Sequence, residues 1–189
     1  HHYKPQIALI SGISWDHVNV FETLDDYNKQ FEIFIDSITP GGVLVYNKED
    51  KTLNAMVDAS ENTIRKETYQ TAAHFIDSGC TCLETDEGAL PLEIFGEHNL
   101  SNLSGAKWIC QLIGVEQDEF YQAIASFKGA TRRLEKITSS RNKFLFKDFA
   151  HSPSKVKATI TAVRKQFERF KLIACLELHT YSSLDNKFI

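Results

Sequence analysis

The sequence predicts an α/β fold organised on a mostly parallel sheet, and three observations carry that prediction. In the first fifty residues an apolar run (Gln6–Ile10), a helical stretch opening at Thr23 and a second apolar run (Val43–Tyr46) follow one another. Strand, helix, strand is the order of a parallel β-α-β unit. Towards the other end Phe144–Phe149, a helix opening after Ser152 and the apolar run Lys171–Leu178 repeat the alternation. Finally, clusters of Asp and His follow the strand ends, where open α/β sheets bind ligands.

Each element has a local reason. Gln6–Ile10 is a short apolar run that reads as a buried strand. Thr23 with Asp26 reads as a capping box, and Leu24, Tyr27, Phe31, Phe34, Ile35 and Ile38 recur at helical spacing. Thr39-Pro-Gly-Gly42 stops that helix before the strand Val43–Tyr46. Lys51–Ser60 reads as a short helix. From Thr63 to Phe95 the pattern breaks into β-like pieces, with Asp86-Glu-Gly88 as a hairpin turn between Cys80–Leu83 and Leu90–Phe95. That region is expected to form a small antiparallel excursion at the sheet edge. Gly96–Asn102 then leads into a helix over Leu103–Ile113, and a further helix spans Glu116–Phe127. Leu134–Ile137 and Lys143–Phe149 read as two strands joined at Ser139–Asn142. Ser152 as N-cap and Pro153 at the first helical position open a helix expected to bury Val156, Ile160, Val163 and Phe167. Lys171–Leu178 reads as a strong buried strand.

Composition narrows the function. The chain of 189 residues is 42% hydrophobic and 24% charged, ordinary for a globular protein able to bury a real core. A net charge of −4 argues against nucleic acid as the main partner, since that needs a concentrated basic stripe. No apolar run reaches transmembrane length, so no membrane role is expected. Cys80 and Cys82 form a C-x-C rather than the C-x-x-C of zinc or redox sites, and no second pair follows. Cys110 and Cys175 read as small core residues. This usage fits a reducing cytoplasm.

The polar clusters are Asp16/His17, Glu97/His98/Asn99/Asn102, Arg132/Arg133, Asp148/His151 and His179. Singly, each has a plain explanation as a cap, a local backbone partner or a solvated linker. None has the spacing of a Ser-His-Asp triad, a zinc-binding HExxH helix or a glycine-rich phosphate loop.

As an ordered set they carry more. Gly96-Glu-His-Asn-Leu-Ser-Asn102 resembles the G-x-H-N-x-x-N signature of the Mur ligase family. Phe127-Lys-Gly-Ala-Thr-Arg-Arg-Leu-Glu135 is similar to that family's F-x-G-x-x-R-R-x-E. Asp148-Phe-Ala-His-Ser-Pro-Ser154 is similar to its D-[YF]-[AG]-H-x-P-[ST] turn, and Ser11–His17 to its N-I-E-x-D-H strand end. The four lie in the family's order across nearly the whole chain. The muramate branch fits best, and the Asp148–His151 wording leans towards its muropeptide-recycling members.

The resemblance implies the last part of a central ATP-binding domain over 1–129 and the first part of a Rossmann-like C-terminal domain over 130–189. It implies an ATP- and Mg²⁺-dependent amide-bond ligase acting on UDP-N-acetylmuramate, with L-alanine or a muropeptide as the amine, in peptidoglycan synthesis or recycling. ATP phosphorylates the carboxylate, and the amine displaces phosphate from the acyl phosphate. By the same resemblance His17 is a magnesium ligand, and His98, Asn99 and Asn102 hold the adenine side. Asp148 accepts from the ribose hydroxyls. Arg132 faces the phosphates, His151 lies near the nucleotide or the reacting carboxylate, and His179 lies towards the amine substrate. Gly12 and Ser14 stand where the family often has Asn and Glu, and Ser152 where a second His is common. The family's phosphate-binding loop and UDP-sugar domain lie upstream of all these motifs, so the chain by itself is expected to be inactive and, through an unpaired sheet edge, to self-associate. The alternatives are a non-catalytic nucleotide-binding module of the same fold and a folylpolyglutamate-type ligase.

Overall fold

The computed structural model describes residues 3–177. They form two compact units, residues 3–71 with 101–117 and residues 72–100 with 118–177.

The first unit is the expected β-α-β alternation. Strands β1 (Ile7–Ile10), β2 (Val43–Asn47) and β3 (Arg65–Tyr69) lie in the order β1-β2-β3, parallel throughout, with Ile7 opposite Val43 and Val43 opposite Arg65. Helices α1 (Leu24–Ser37) and α2 (Lys51–Ala59) make the crossovers. Thr23 caps α1, accepting from the Asp26 N–H at 3.1 Å while its hydroxyl donates to the Asp26 carboxylate at 2.7 Å. Asp50 caps α2 by accepting from Leu53 N, and its other oxygen accepts from Ile13 N at 2.8 Å, which ties the turn after β1 to the end of β2. Ile10, Ile13, Ile35, Ile38, Leu44, Leu53 and Val57 form the core on one face of the sheet. On the other face Val43, Val45 and Tyr69 pack with Trp108, Ile109 and Leu112, from the later turns of α3 (Glu97–Leu112).

The second unit contains a separate antiparallel sheet, β4 (His74–Asp77), β5 (Cys80–Thr85) and β6 (Gly88–Leu92), in that order. Pro91 of the edge strand β6 lies opposite Cys82. The short helix α4 (Gln117–Ala125) buries Phe120. Strands β7 (Glu135–Ser140) and β8 (Lys143–Lys147) form a hairpin whose register slips between Lys136 and Thr138. Helix α5 (Pro153–Gln166) follows. Phe95, Leu134 and Ala162 form the core here, with Phe146, Val163 and Phe167 packed against them. Phe95 meets the rings of Phe146 and Phe167 edge-on, with centroids 5.3 and 5.8 Å apart.

The α/β class with its parallel sheet is as the sequence predicts; five local readings change. Residues 63–95 do not form one antiparallel excursion at the sheet edge: β3 joins the parallel sheet, and β4–β6 form a sheet of their own. Helix α3 begins at Glu97 rather than Leu103, because Gly96 O accepts from Asn99 N and Leu100 N and starts the helical ladder there. In α5 the buried residues are Ala162 and Gln166; Val163 and Phe167 pack half-buried against the aromatic cluster as expected, while Ile160 is 40% exposed, because Ala162 and Gln166 face the packed side with them. Ser152 precedes α5 as expected and is buried, but its side chain makes no capping bond. Finally, residues 171–177 form no strand, and Ile173, Cys175 and Leu176 are exposed. A strand exists only through ladder partners, and none of the described residues pairs with this run.

Candidate functional site

Three segments of the second unit build the site: the turn that opens α3, the linker before β7, and the turn between β8 and α5. Gly96 enters α3 with φ +91°, a conformation that favours glycine. The space beside it is closed: a Cβ at Gly96 would lie 2.6 Å from Ala162 Cβ and 3.1 Å from His98 Cε1. The His98 ring therefore folds back over Gly96 beside α5. Burial pushes the His98 pKa below the ordinary imidazole value, against a smaller pull upward from the Asp148 carboxylate. At neutral pH the ring is neutral, with one donor and one acceptor nitrogen.

Asp148 is the hub of the two turns. Its Oδ2 accepts from Leu134 N at 2.7 Å and its Oδ1 from Ala150 N at 2.6 Å. Phe149 N donates to Arg132 O at 2.9 Å, and Arg132 N donates to the Glu135 carboxylate at 2.8 Å. Within this small frame Arg132 and Leu134 both have left-handed backbone, φ +58° and +47°. Non-glycine residues hold that conformation only where neighbours enforce it. His151 Nδ1 lies 2.8 Å from Phe149 O, which as a donor bond makes Nε2 the acceptor of the ring. Glu97 pairs with Lys165 at 2.6 Å, and that hydrogen bond holds its carboxyl below the usual range.

The structure thus brings His98, Asp148, Arg132 and His151 into one unit, with His98 and Asp148 near enough to interact electrostatically. Asn99 spends its amide N–H on Phe95 O at 2.9 Å. Asn102 is exposed one turn further along α3 and belongs to the first unit. So does His17, which is exposed with φ +55°; its N–H is bonded to the Asp16 carboxylate at 2.8 Å. His179 lies outside the described residues. Among the described residues no group of three or more His, Cys, Asp or Glu is placed to hold a metal ion. Glu135, which clamps the Arg132 backbone, was legible as the last letter of the R-R-x-E segment. Leu134 and Gln166 carried no such signal, because their partners are distant in the chain.

Comparison with known proteins matches residues 1–110 to the Mur ligase middle domain. Curated relatives named UDP-N-acetylmuramate–L-alanine ligase align over nearly the whole chain. That of Caldicellulosiruptor bescii is 29% identical over 96% of the chain and 42% of its own length. That of Porphyromonas gingivalis is 31% identical over the same shares, 96% and 42%. The chain therefore spans about 42% of the length of these relatives. Among solved structures, MurF from Acinetobacter baumannii superposes with a TM-score of 0.67 at 19% identity, covering 82% of this chain and 36% of that one. An FPGS–AMPPCP complex superposes with a TM-score of 0.66 at 17% identity, covering 88% and 44%. These structures share the fold.

Proposed function

We propose, since this chain belongs to the Mur ligase family, that it is part of an ATP-dependent ligase that joins an amino acid to UDP-N-acetylmuramate in peptidoglycan synthesis. The supporting observation is the Asp148 hub, whose two backbone bonds place a carboxylate at a strand end beside His98 and the start of α5. L-alanine is the amine favoured by the names of the relatives; a muropeptide is the alternative. Residues 1–129 then belong to the central domain and 130–189 to the C-terminal one, and the protein works in the cytoplasm.

The roles follow from donor and acceptor chemistry. Each Asp148 oxygen keeps a lone pair beyond its backbone bond, and these accept from ribose hydroxyls. Neutral His98, with Asn99 and Asn102, meets the base through directional hydrogen bonds. The Arg132 guanidinium, a planar fork, faces the phosphates, and His151 lies near the nucleotide or the reacting carboxylate. A carboxylate oxygen of the substrate bonds to the γ-phosphorus and ADP leaves. The amine nitrogen then attacks the acyl carbon, loses a proton and expels phosphate. What the chain supplies is position and charge complementarity.

Magnesium takes oxygen ligands and keeps several waters. Among the described residues His17 offers only its imidazole as a ligand, and the Asp16 carboxylate accepts from the His17 backbone N–H rather than from the ring. A lone imidazole nitrogen does not fit a hard cation that prefers oxygen, so His17 as a magnesium ligand rests on the family resemblance alone. When bound, the ion offsets negative charge on the phosphate oxygens.

The test is calorimetric titration of the 189-residue chain with ADP and Mg²⁺, alongside Asp148→Ala and His98→Ala. Saturable binding lost in both variants supports the reading. A folded chain that binds no ADP would overturn a nucleotide site in this chain alone, leaving one that needs the family's phosphate-binding loop or a module with another role. Self-association is proposed too: Ile7 and Leu9 on edge strand β1 are 36% and 38% exposed. A strictly monomeric chain by light scattering at high concentration overturns that part.

A further inference from the structure

Helix α5 is pinned close to its C-terminal end. Gln166, only 8% exposed, accepts through Oε1 from Thr81 Oγ1 at 2.8 Å and donates through Nε2 to Gly79 O at 2.7 Å. Thr81 is itself 2% exposed. One residue earlier Lys165 pairs with Glu97, and a turn earlier Ala162 lies against Gly96. The other end of the helix opens directly after Asp148–His151. An α-helix of 14 residues is a stiff rod of about 21 Å, so whatever seats its last turn also sets where its first turn lies.

The kind of contact matters. The Phe95, Phe146 and Phe167 rings hold α5 by area, and apolar packing of that sort tolerates a shifted seat. A desolvated amide with two fixed partners does not: any slide leaves buried polar atoms unpaired. The expected reason for a glutamine on a helix is a solvated face; here the glutamine is among the most buried residues of α5.

We propose that Gln166 is a positioning residue: by locking α5 to the start of β5 through Thr81 and Gly79, it holds the Asp148–Ser152 turn against His98. Its role in function rests on the reading above, that this face contacts the nucleotide; the lock itself does not.

The measurement is a histidine-ring NMR titration of the 189-residue chain, with the His98 signal identified by its loss in His98→Gln. The shift in the His98 titration caused by Asp148→Asn reports the coupling of the two groups. It is measured in the wild-type chain and in Thr81→Val/Gln166→Leu, a pair of changes that removes the Thr81–Gln166 bond from both sides and leaves only the carbonyl of Gly79, an exposed residue, without its Gln166 donor. The expected result is a coupling reduced to less than half in the double variant, which still unfolds cooperatively. Equal coupling in both backgrounds overturns the proposal, as does the absence of coupling in the wild-type chain. ADP titration of the same proteins separates the two ideas. A wild-type chain with intact coupling that binds no ADP sinks the nucleotide reading and leaves the lock standing.

Discussion

Leu134 N donates to Asp148 Oδ2 at 2.7 Å, and this bond holds a leucine in left-handed backbone, φ +47°. The two residues are fourteen positions apart and flank the open end of the β7–β8 hairpin, next to the Glu135–Lys147 pair. Asp148 is thus a structural clamp before it is anything else, and a variant there tests two roles at once. Asp148→Ala is expected to destabilise the chain by about 2–3 kcal/mol, the usual cost of losing hydrogen bonds to a charged group. Asp148→Asn keeps one acceptor oxygen but turns its NH2 towards the other backbone N–H, so it should recover only part of that loss. Urea unfolding of the two variants checks the order. If Asn costs as much as Ala, the clamp needs both acceptor oxygens at once.

The buried imidazole makes a pH prediction. His98 titrates below its ordinary value because burial disfavours the charged ring. Folded protein then binds fewer protons than unfolded protein between the lowered value and about 6.5. Stability is full above that window and is lost as pH falls through the folded pKa. The urea midpoint should drop between pH 7.5 and 5.5, and His98→Gln should remove part of that drop. Both pH values lie above the range where Glu97, lowered by Lys165, changes charge. An identical pH dependence in His98→Gln would place the sensitivity elsewhere.

Gly96→Ala is predicted to cost about 2–4 kcal/mol, combining strain at positive φ with overpacking against Ala162. The second variant Gly96→Ala/Ala162→Gly should recover the steric share and leave the backbone share. Thermal melts of both proteins read the difference directly.

In the first unit, the Asn62 amide donates to Ile35 O and Ile38 O, each at 2.9 Å, satisfying carbonyls at the end of α1. Asn62→Ala should therefore destabilise by about 1–2 kcal/mol although the side chain touches no proposed ligand. ADP binding, where present, should be unchanged.

What could be read in the sequence was whatever had a local cause. The strands Ile7–Ile10 and Val43–Asn47 and the cap Thr23 follow from periodicity and from a side chain that bonds within a few residues. Strand β3 was harder: Arg65–Tyr69 is mostly polar because it lies at the edge of the sheet, and only Tyr69 is buried. The early start of α3 hid behind Glu97, His98 and Asn99, which favour loops as readily as helices. Lys171–Leu178 shows the opposite error, an apolar run with strand composition and no ladder partner among the described residues. For the site, the motif letters located Asp148, His98 and Arg132, but not the contacts that hold them. The Leu134 bond and the Gln166–Thr81 pair join residues far apart in the chain, and no local pattern encodes them.

Pro91 sits on β6, at one edge of the β4–β6 sheet. Proline is tolerated there when the missing N–H would have pointed away from its neighbour strand. The outer rim of β6 consequently lacks a donor midway along its length, and an incoming strand would find its ladder broken there. This small sheet is terminated chemically at that side: it resists growth into a larger sheet or a fibril, a safeguard that β1, with Ile7 and Leu9 on its open rim, does not share.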